Sequence, residues 1–406
     1  MKTHSLLPPY LSCRLGFAVV AAVATVICSA AVAAQVDVQW AISDKSRGGS
    51  PYYWPYSEPS DWLPQVVPNN GNNGNTYRIT VGQGLAVVDI DATVDALTVN
   101  NSGAITVSDG RSFKSALTRN DTPPSAINSS PLVGISVRAT SAPATANLGS
   151  LSNYDVATNT LTGGAYAVAG ASYRTPPVDA TLIFNGARIV TNAAGLRIGG
   201  NGKITDEFGN DALQPLAINN GVLVLGQSFR TAGDFTNNGM LVLSPPADQD
   251  EFFVVTGKLN NFDAVNKTLT DGTYVLNAAN NYSYKLRFQF SGADVITNSA
   301  DVSLSRGADR QPVMIDEKGQ DALRHLANNS AIGSLKLLSD FSTGAAHFTN
   351  AGFIYTNSVF SLPPGGTFQQ SGGELNVNFV GGTNGFGKLD TQGGSILVDG
   401  GRVTGG

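Results

Sequence analysis

Cysteine is almost missing from this chain. Only Cys13 and Cys28 occur, both within the first 34 residues. That segment opens with Lys2 and Arg14 and continues as LGFAVVAAVATVICSAAVAA (15–34), nearly all apolar and ending in small side chains. This is the layout of a secretory signal peptide, with cleavage expected after Ala33 or Ala34. The run is also about as long as a membrane span, so an uncleaved anchor is the alternative. Ile27, immediately before Cys28, argues against a lipid acceptor there. The mature chain is then free of cysteine, which excludes disulfide scaffolding and a thiol nucleophile. No later stretch has the apolar length of a membrane-spanning helix.

Charge is scarce too. Asp, Glu, Lys and Arg make up 14% of the chain, against about 25% in ordinary globular domains. Losing Lys2 and Arg14 with the leader moves the net charge from −5 to −7, and no basic run remains, which argues against a nucleic-acid partner. Only His325 and His347 survive the leader. They occupy unrelated places in the repeats described below, so a histidine-based metal or catalytic site is not expected. There is no G-x-S-x-G, no P-loop and no dinucleotide fingerprint. The plentiful residues are Gly, Asn, Thr and Ser among a 42% hydrophobic fraction. That is too apolar for disorder and suits short strands joined by turns.

The chain repeats itself. DEFGNDALQPLA (206–217) returns as DEKGQDALRHLA (316–327), 110 residues on. NYDVATNTLTGGAYAV (153–168) returns as NFDAVNKTLTDGTYVL (261–276), FNGARIVTNAAGLRI (184–198) as FSGADVITNSADVSL (290–304), and FRTAGDFTNNGMLVL (229–243) as FSTGAAHFTNAGFIY (341–355). The order is kept, so residues 151–258 and 259–360 are two copies of one module. Within each, strand-like segments such as GVLVLG recur roughly every 20 residues between Gly and Asn turns. The spacing predicts an all-β fold: a right-handed parallel β-helix, or β-solenoid, with short helical inserts and an N-terminal cap. Asn and Gly are expected at corners that need left-handed backbone angles. An antiparallel sandwich is the rival. Residues 35–150 are expected to supply the cap, the first strands and a loop-rich crossing. Residues 361–406 read as further Gly-rich coils.

The candidate sites are few. Asp206, Glu207 and Asp211, with Asp316, Glu317 and Asp321, surround a glycine turn and could offer oxygen ligands to calcium. A third acidic group is Asp248, Asp250 and Glu251. The same word also reads structurally. Leu213 and Leu216 share one face of a two-turn helix, Asp211 and Asp321 cap it, and Gln214 could complete a capping box in the first copy. Catalytic carboxylates normally come from different coils, and no Lys or Arg accompanies both acidic clusters, so no catalytic residue is assigned. Trp40, Trp54 and Trp62 with Tyr52, Tyr53 and Tyr56 are expected to cover the first coil. Trp54, Tyr56 and Trp62 are the alternative as a glycan-stacking surface.

The phrases NYDVATNTLTGGAYAV, GARIVTNAA, GNDALQPLA and AGDFTNNGMLVL resemble those of secreted repetitive bacterial surface proteins built like autotransporter passengers. The WLPQVVPNN…YRITV stretch is similar to the opening of proteins that carry a PEP-CTERM sorting tail. The resemblance covers about 77–110 and 151–406. It implies an adhesin-like parallel β-helix outside the cell that binds a surface, matrix or polysaccharide and needs no cofactor. Such chains end in a membrane barrel or a sorting tail, whereas VDGGRVTGG reads as mid-coil, so a truncated product is expected. The alternative is a carbohydrate-active β-helix enzyme, a lyase or glycosidase.

Overall fold

The computed structural model describes residues 33–41, 54–129, 134–244, 251–277, 286–305, 313–377, 388–390 and 395–405. Ala34–Gly406 forms one compact unit. Residues 1–32 of the expected signal peptide, Tyr52, Tyr53, Asp248 and Asp250 lie outside the described residues. Among those described, no helix is long and apolar enough to cross a membrane.

The chain is nearly all β, with one large and mostly parallel sheet. Its longest ladder starts in Thr76–Val88 and Ala92–Val107 and passes through Gly134–Ala139, Ala165–Gly170, Gly195–Gly200, Val222–Gly226 and Met240–Leu243. It continues through Thr273–Asn277, Asp301–Ser305, Ser334–Leu337, Phe353–Thr356 and Thr367–Val377 to Ser395–Gly405. Register follows from side-chain alternation. Ile135, Tyr166, Leu196, Leu223, Leu241, Tyr274, Val302, Leu335, Ile354 and Leu375 stack rung upon rung, and all are buried. A one-residue slip would turn that whole row to solvent, so burial fixes the register. The antiparallel sandwich is thereby excluded. Among the described strands, antiparallel pairing is confined to two small hairpins and one short pair, Gln39–Trp40 with Trp62–Leu63.

The two hairpins open the two copies at matching places. Tyr154–Asp155 pairs with Thr160–Leu161, and Phe262–Asp263 with Thr268–Leu269. Each turns through one left-handed residue, Asn159 at φ 52° or Lys267 at φ 51°.

Asparagine does something other than turn corners. Asn192, Asn219 and Asn237 stand on successive rungs, as do Asn298, Asn329 and Asn350, and all are buried. Each side-chain amide donates to the next rung's carbonyl oxygen, at 2.8 Å from Asn192 to Asn219 and from Asn219 to Asn237. The second copy repeats this at 2.9 and 2.8 Å and extends it to Gln370 at 3.1 Å. Identical residues in register satisfy one another and spare each buried amide a desolvation cost of about 1–3 kcal/mol. None of these asparagines has positive φ, so the expected left-handed corner does not explain them. On the first rung of each copy the position belongs to Leu161 or Leu269. There Asn153 or Asn261 reaches back and clamps the backbone of Asn120 or Asn237 through both its N–H and its C=O.

Part of the stretch 111–150, read from its Ser, Thr, Pro and Ala content as a loop-rich crossing, is strand. Ser112–Asn120, Gly134–Ala139 and Ala144–Asn147 are strands of the same sheet. Their small residues are what misled: Ala139, Ala144 and Ala146 fill the interior.

Candidate functional site

The outward side of the long ladder, where the strand Gly134–Ala139 meets the first copy, carries the site. Leu196 and Ile198 point inward, so alternation sends Gly195, Arg197 and Gly199 outward. The segment after Asn120 crosses this face and ends in the only α-helix among the described residues, Ala126–Ser129. It crosses directly over Gly195, where a Cβ would sit 2.3 Å from the Pro124 carbonyl oxygen. Ile127 is buried among Ala165, Ala167, Val222 and Val224. The Ile127 carbonyl oxygen accepts a 3.2 Å hydrogen bond from Arg197 Nη2.

Beside this strap a cleft of about 290 Å³ opens. Its floor is the outward row Ala169, Gly199 and Gly226, in register with Arg138. Gly199 leaves the floor bare: a Cβ there would meet nothing nearer than Ala169 Cβ at 4.0 Å. Arg138, Arg197, Ser136, Ser172, Ser244 and Tyr173 surround it, and among the described residues no Asp or Glu belongs to the lining. Tyr173 is 63% exposed, and Arg174 lies over its ring at 5.7 Å. Among the described residues Arg138 and Arg197 are in no ion pair. Arg197 is half-buried, its Nε is buried without a hydrogen-bond partner, and burial pulls its pKa below the usual value. A guanidinium nevertheless keeps its proton. The cleft therefore offers positive charge, a flat floor and an exposed ring.

The acidic words are placed elsewhere and do another task. Asp206 Oδ1 accepts the N–H groups of Phe208 and Asn210 at 2.9 and 2.8 Å. The Asn210 side-chain amide and these backbone donors hold its pKa below the carboxylate range. Asp316 accepts from Lys318 and Gln320 in the same way. Glu207 and Glu317 reach sideways to the Gly186 and Gly292 N–H groups. Asp211 and Asp321 take the Leu213 and Leu323 N–H groups at 2.8 and 2.9 Å. The carboxylates of each word thus turn to three different sets of amides. No group of three or more His, Cys, Asp or Glu side chains able to hold a metal occurs among the described residues.

The expected helical insert does not form. The word folds back on the strand before it, with bridges Thr205 to Asp211 and Ile315 to Asp321. Gly209 at φ 84° and Gly319 at φ 78° make the reversal. Leu213 and Leu216, and Leu323 and Leu326, are buried as their spacing suggests, but they sit on a single turn closed by Leu216 N–H to Leu213 O at 2.9 Å. The fold-back covers the edge of Gly202–Thr205 or Met314–Ile315, the last strand of its ladder. An exposed edge there would invite pairing with other chains.

The aromatic group is largely closed to ligands. Trp40, Tyr56 and Trp62 are buried. Trp62 meets Trp40 and Tyr56 edge-on at 4.7 and 4.9 Å and donates from Nε1 to the Tyr56 carbonyl oxygen at 2.9 Å. Tyr56 gives its hydroxyl to Pro68 O, and burial pushes its pKa up. Tyr56 and Trp62 therefore offer no ring face to a glycan, and Trp54 is half-buried against the same core.

One polar cluster escaped the sequence reading. In the second copy Asp294 accepts from Lys267 Nζ at 2.8 Å, meets His325 Nδ1 at 2.8 Å and has Arg324 Nη2 at 3.6 Å. These residues come from three separate repeat segments, so no local motif announces them. The cleft was hidden for the same reason, although the isolated arginine in GLRIGG was a usable signal. No family model, no curated protein and no solved structure matches this chain.

Proposed function

We propose that the chain is an exported, right-handed parallel β-solenoid that works as an adhesive binding protein, taking a polysaccharide in the cleft between Arg138, Arg197 and Tyr173. The in-register parallel ladders support the solenoid, and parallel crossovers are right-handed in nearly all proteins. The leader-like first 34 residues and the resemblance to bacterial surface proteins support export. The observation that carries binding is the cleft: a floor of Ala169, Gly199 and Gly226 beside an exposed tyrosine, the kind of surface on which a sugar ring can lie. Among the described residues its lining has no carboxylate and no histidine, so it lacks the pair of carboxylates that a glycosidase uses. The test is calorimetric titration of the mature chain with a panel of oligosaccharides. Gly199→Leu should abolish binding by filling the floor, and a panel without any binder would overturn the proposal.

A second reading keeps an enzyme in view because of one observation, the meeting of Asp294, Lys267, Arg324 and His325. A lyase or glycosidase working there would shorten a polysaccharide and lose that activity in Asp294→Asn. Unchanged polymer length after long incubation would remove this reading.

A further inference from the structure

Resting on the polysaccharide reading above, we infer that the ligand of the cleft is acidic, a sugar chain bearing carboxylate or sulfate groups, and that only the first copy holds it. The argument is charge complementarity in an unfavourable setting. The chain has 30 acidic against 25 basic residues, yet among the described residues the cleft is lined by two arginines and no acid. Neither arginine has a carboxylate partner among the described residues, and the chain buries the Nε of Arg197 without giving it an acceptor. A half-buried cation left unpaired costs stability unless something supplies the acceptor. Planar guanidinium groups are suited to carboxylates and to sulfur or phosphorus oxyanions.

Spacing favours a polymer over a lone ion. Arg138 and Arg197 are two rungs and one outward step apart, roughly 12 Å between Cα positions at ordinary strand spacing. That is the scale of an oligosaccharide carrying more than one charge. Tyr173 and the bare floor at Gly199 give its rings somewhere to rest between the charges. At the matching positions the second copy differs: Gly195 and Arg197 correspond to Asp301 and Ser303, Asp301 is exposed on the same outward face, and the cation there is Lys336, in register with Ser303 and 5.7 Å from the Tyr355 ring. Asp301 would weaken the hold on an acidic chain there, and an ammonium lacks the planar fork of a guanidinium.

The deciding experiment titrates the mature chain with oligogalacturonate, a sulfated galactan oligomer, a neutral glucan oligomer and vesicles of mixed anionic and neutral lipid. Wild type should bind one or both acidic oligomers, more weakly as salt rises. Arg197→Met should lose about tenfold or more, as expected for a charged hydrogen-bonding partner. Arg197→Lys should recover part of that loss. Whether carboxylate or sulfate binds more tightly identifies the anion. Binding of the neutral glucan that Arg197→Met leaves intact and Gly199→Leu removes would overturn the acidic ligand while leaving the polysaccharide reading in place. Vesicle binding without oligomer binding would overturn both, as would no binding at all.

Discussion

The two copies of the repeat share a frame and differ in what they hang on it. Inside, they match rung for rung. Tyr166 and Tyr274 fill the same interior position, and the amide ladders run through Asn192, Asn219 and Asn237 and through Asn298, Asn329 and Asn350. Outside, they diverge. The first copy has Gly195, Arg197 and a strap across its face. The second has Asp301 and Ser303 at the matching positions. At the hairpin the contrast reverses. The first copy uses a neutral network in which the Tyr154 hydroxyl donates to Asn159 Oδ1 at 3.0 Å and accepts from the Arg188 N–H at 2.8 Å. The second replaces Tyr154, Asn159 and Arg188 with Phe262, Lys267 and Asp294 and builds an ion cluster. Duplicated folds keep what the neighbouring rung demands and free what faces solvent.

The largest effect should come from breaking the shared interior. Asn219→Ala removes the acceptor of Asn192 and the donor to Asn237 Oδ1 and Met240 O. Asn329→Ala does the same between Asn298, Asn350 and Phe353 O. Each should cost about 3 kcal/mol, since several buried polar atoms are orphaned at once. The check is the urea midpoint of both variants, read with hydrogen exchange because repeat arrays can open piecewise. Clearly unequal losses would show that the copies do not share one frame.

Those asparagines also show what the sequence disclosed and what it hid. Position was legible in part: asparagine was expected to recur between the strand-like segments, and the spacing and duplication pointed to parallel stacking. Purpose was not, because whether an asparagine turns the backbone or stacks its amide depends on the rung above, 18 to 31 residues away. The acidic word failed differently. Its leucine spacing located the buried side chains of Leu213 and Leu216 correctly, but the same spacing suits one tight turn as well as a short helix. Gly209 and the Asp206 carboxylate, by binding the backbone at Phe208 and Asn210, favour the turn. The cleft depends on strands that become neighbours only after folding, and nothing local in SYRT or SVRA distinguishes its residues.

A middle-sized effect should follow from cutting the fold-back. Asp211→Ala and Asp321→Ala each remove one carboxylate-to-amide bond, worth about 1 kcal/mol. The two losses should agree within experimental error, and Asp206→Asn with Asp316→Asn should leave the melting temperature insensitive to added calcium. A calcium-dependent rise in the parent that these variants abolish would instead restore the metal reading of the acidic words.

Acid should separate the copies more gently. Burial alone would raise Asp294, but hydrogen bonds from Lys267 and His325 and the Arg324 charge outweigh it, so its pKa lies below the usual value. Glu317 is also held low, by the Gly292 N–H first, but Asp206 is held low in the first copy and Asp155 and Asp263 are lowered in both, so the difference rests on Asp294. A carboxylate with a depressed folded pKa contributes its full stability above its unfolded value, near 4, and loses it as pH falls through the folded value. The second copy should therefore lose more exchange protection than the first between pH 4 and 2. For the Asp294 cluster the extra loss is about 1 kcal/mol or less, because its partners are partly exposed. Asp294→Asn should erase most of that difference, and equal acid sensitivity in the parent chain would count against the cluster.

The smallest effect should come from giving the second copy the first copy's charge. In the double variant Asp301→Ser, Ser303→Arg the changes face outward, so stability should move by about 0.5 kcal/mol or less. Acidic oligosaccharide binding at the second copy should rise only severalfold from near zero. Among the described residues no strap crosses the exposed Asp301, so water would keep competing for the added arginine's hydrogen bonds and screening its charge. In the first copy Pro124 and Ile127 press on Gly195 and Arg197 and supply that shelter. A double variant that bound as tightly as the native cleft would mean that charge alone makes the site. A weak gain would assign the rest to the strap and the glycine floor.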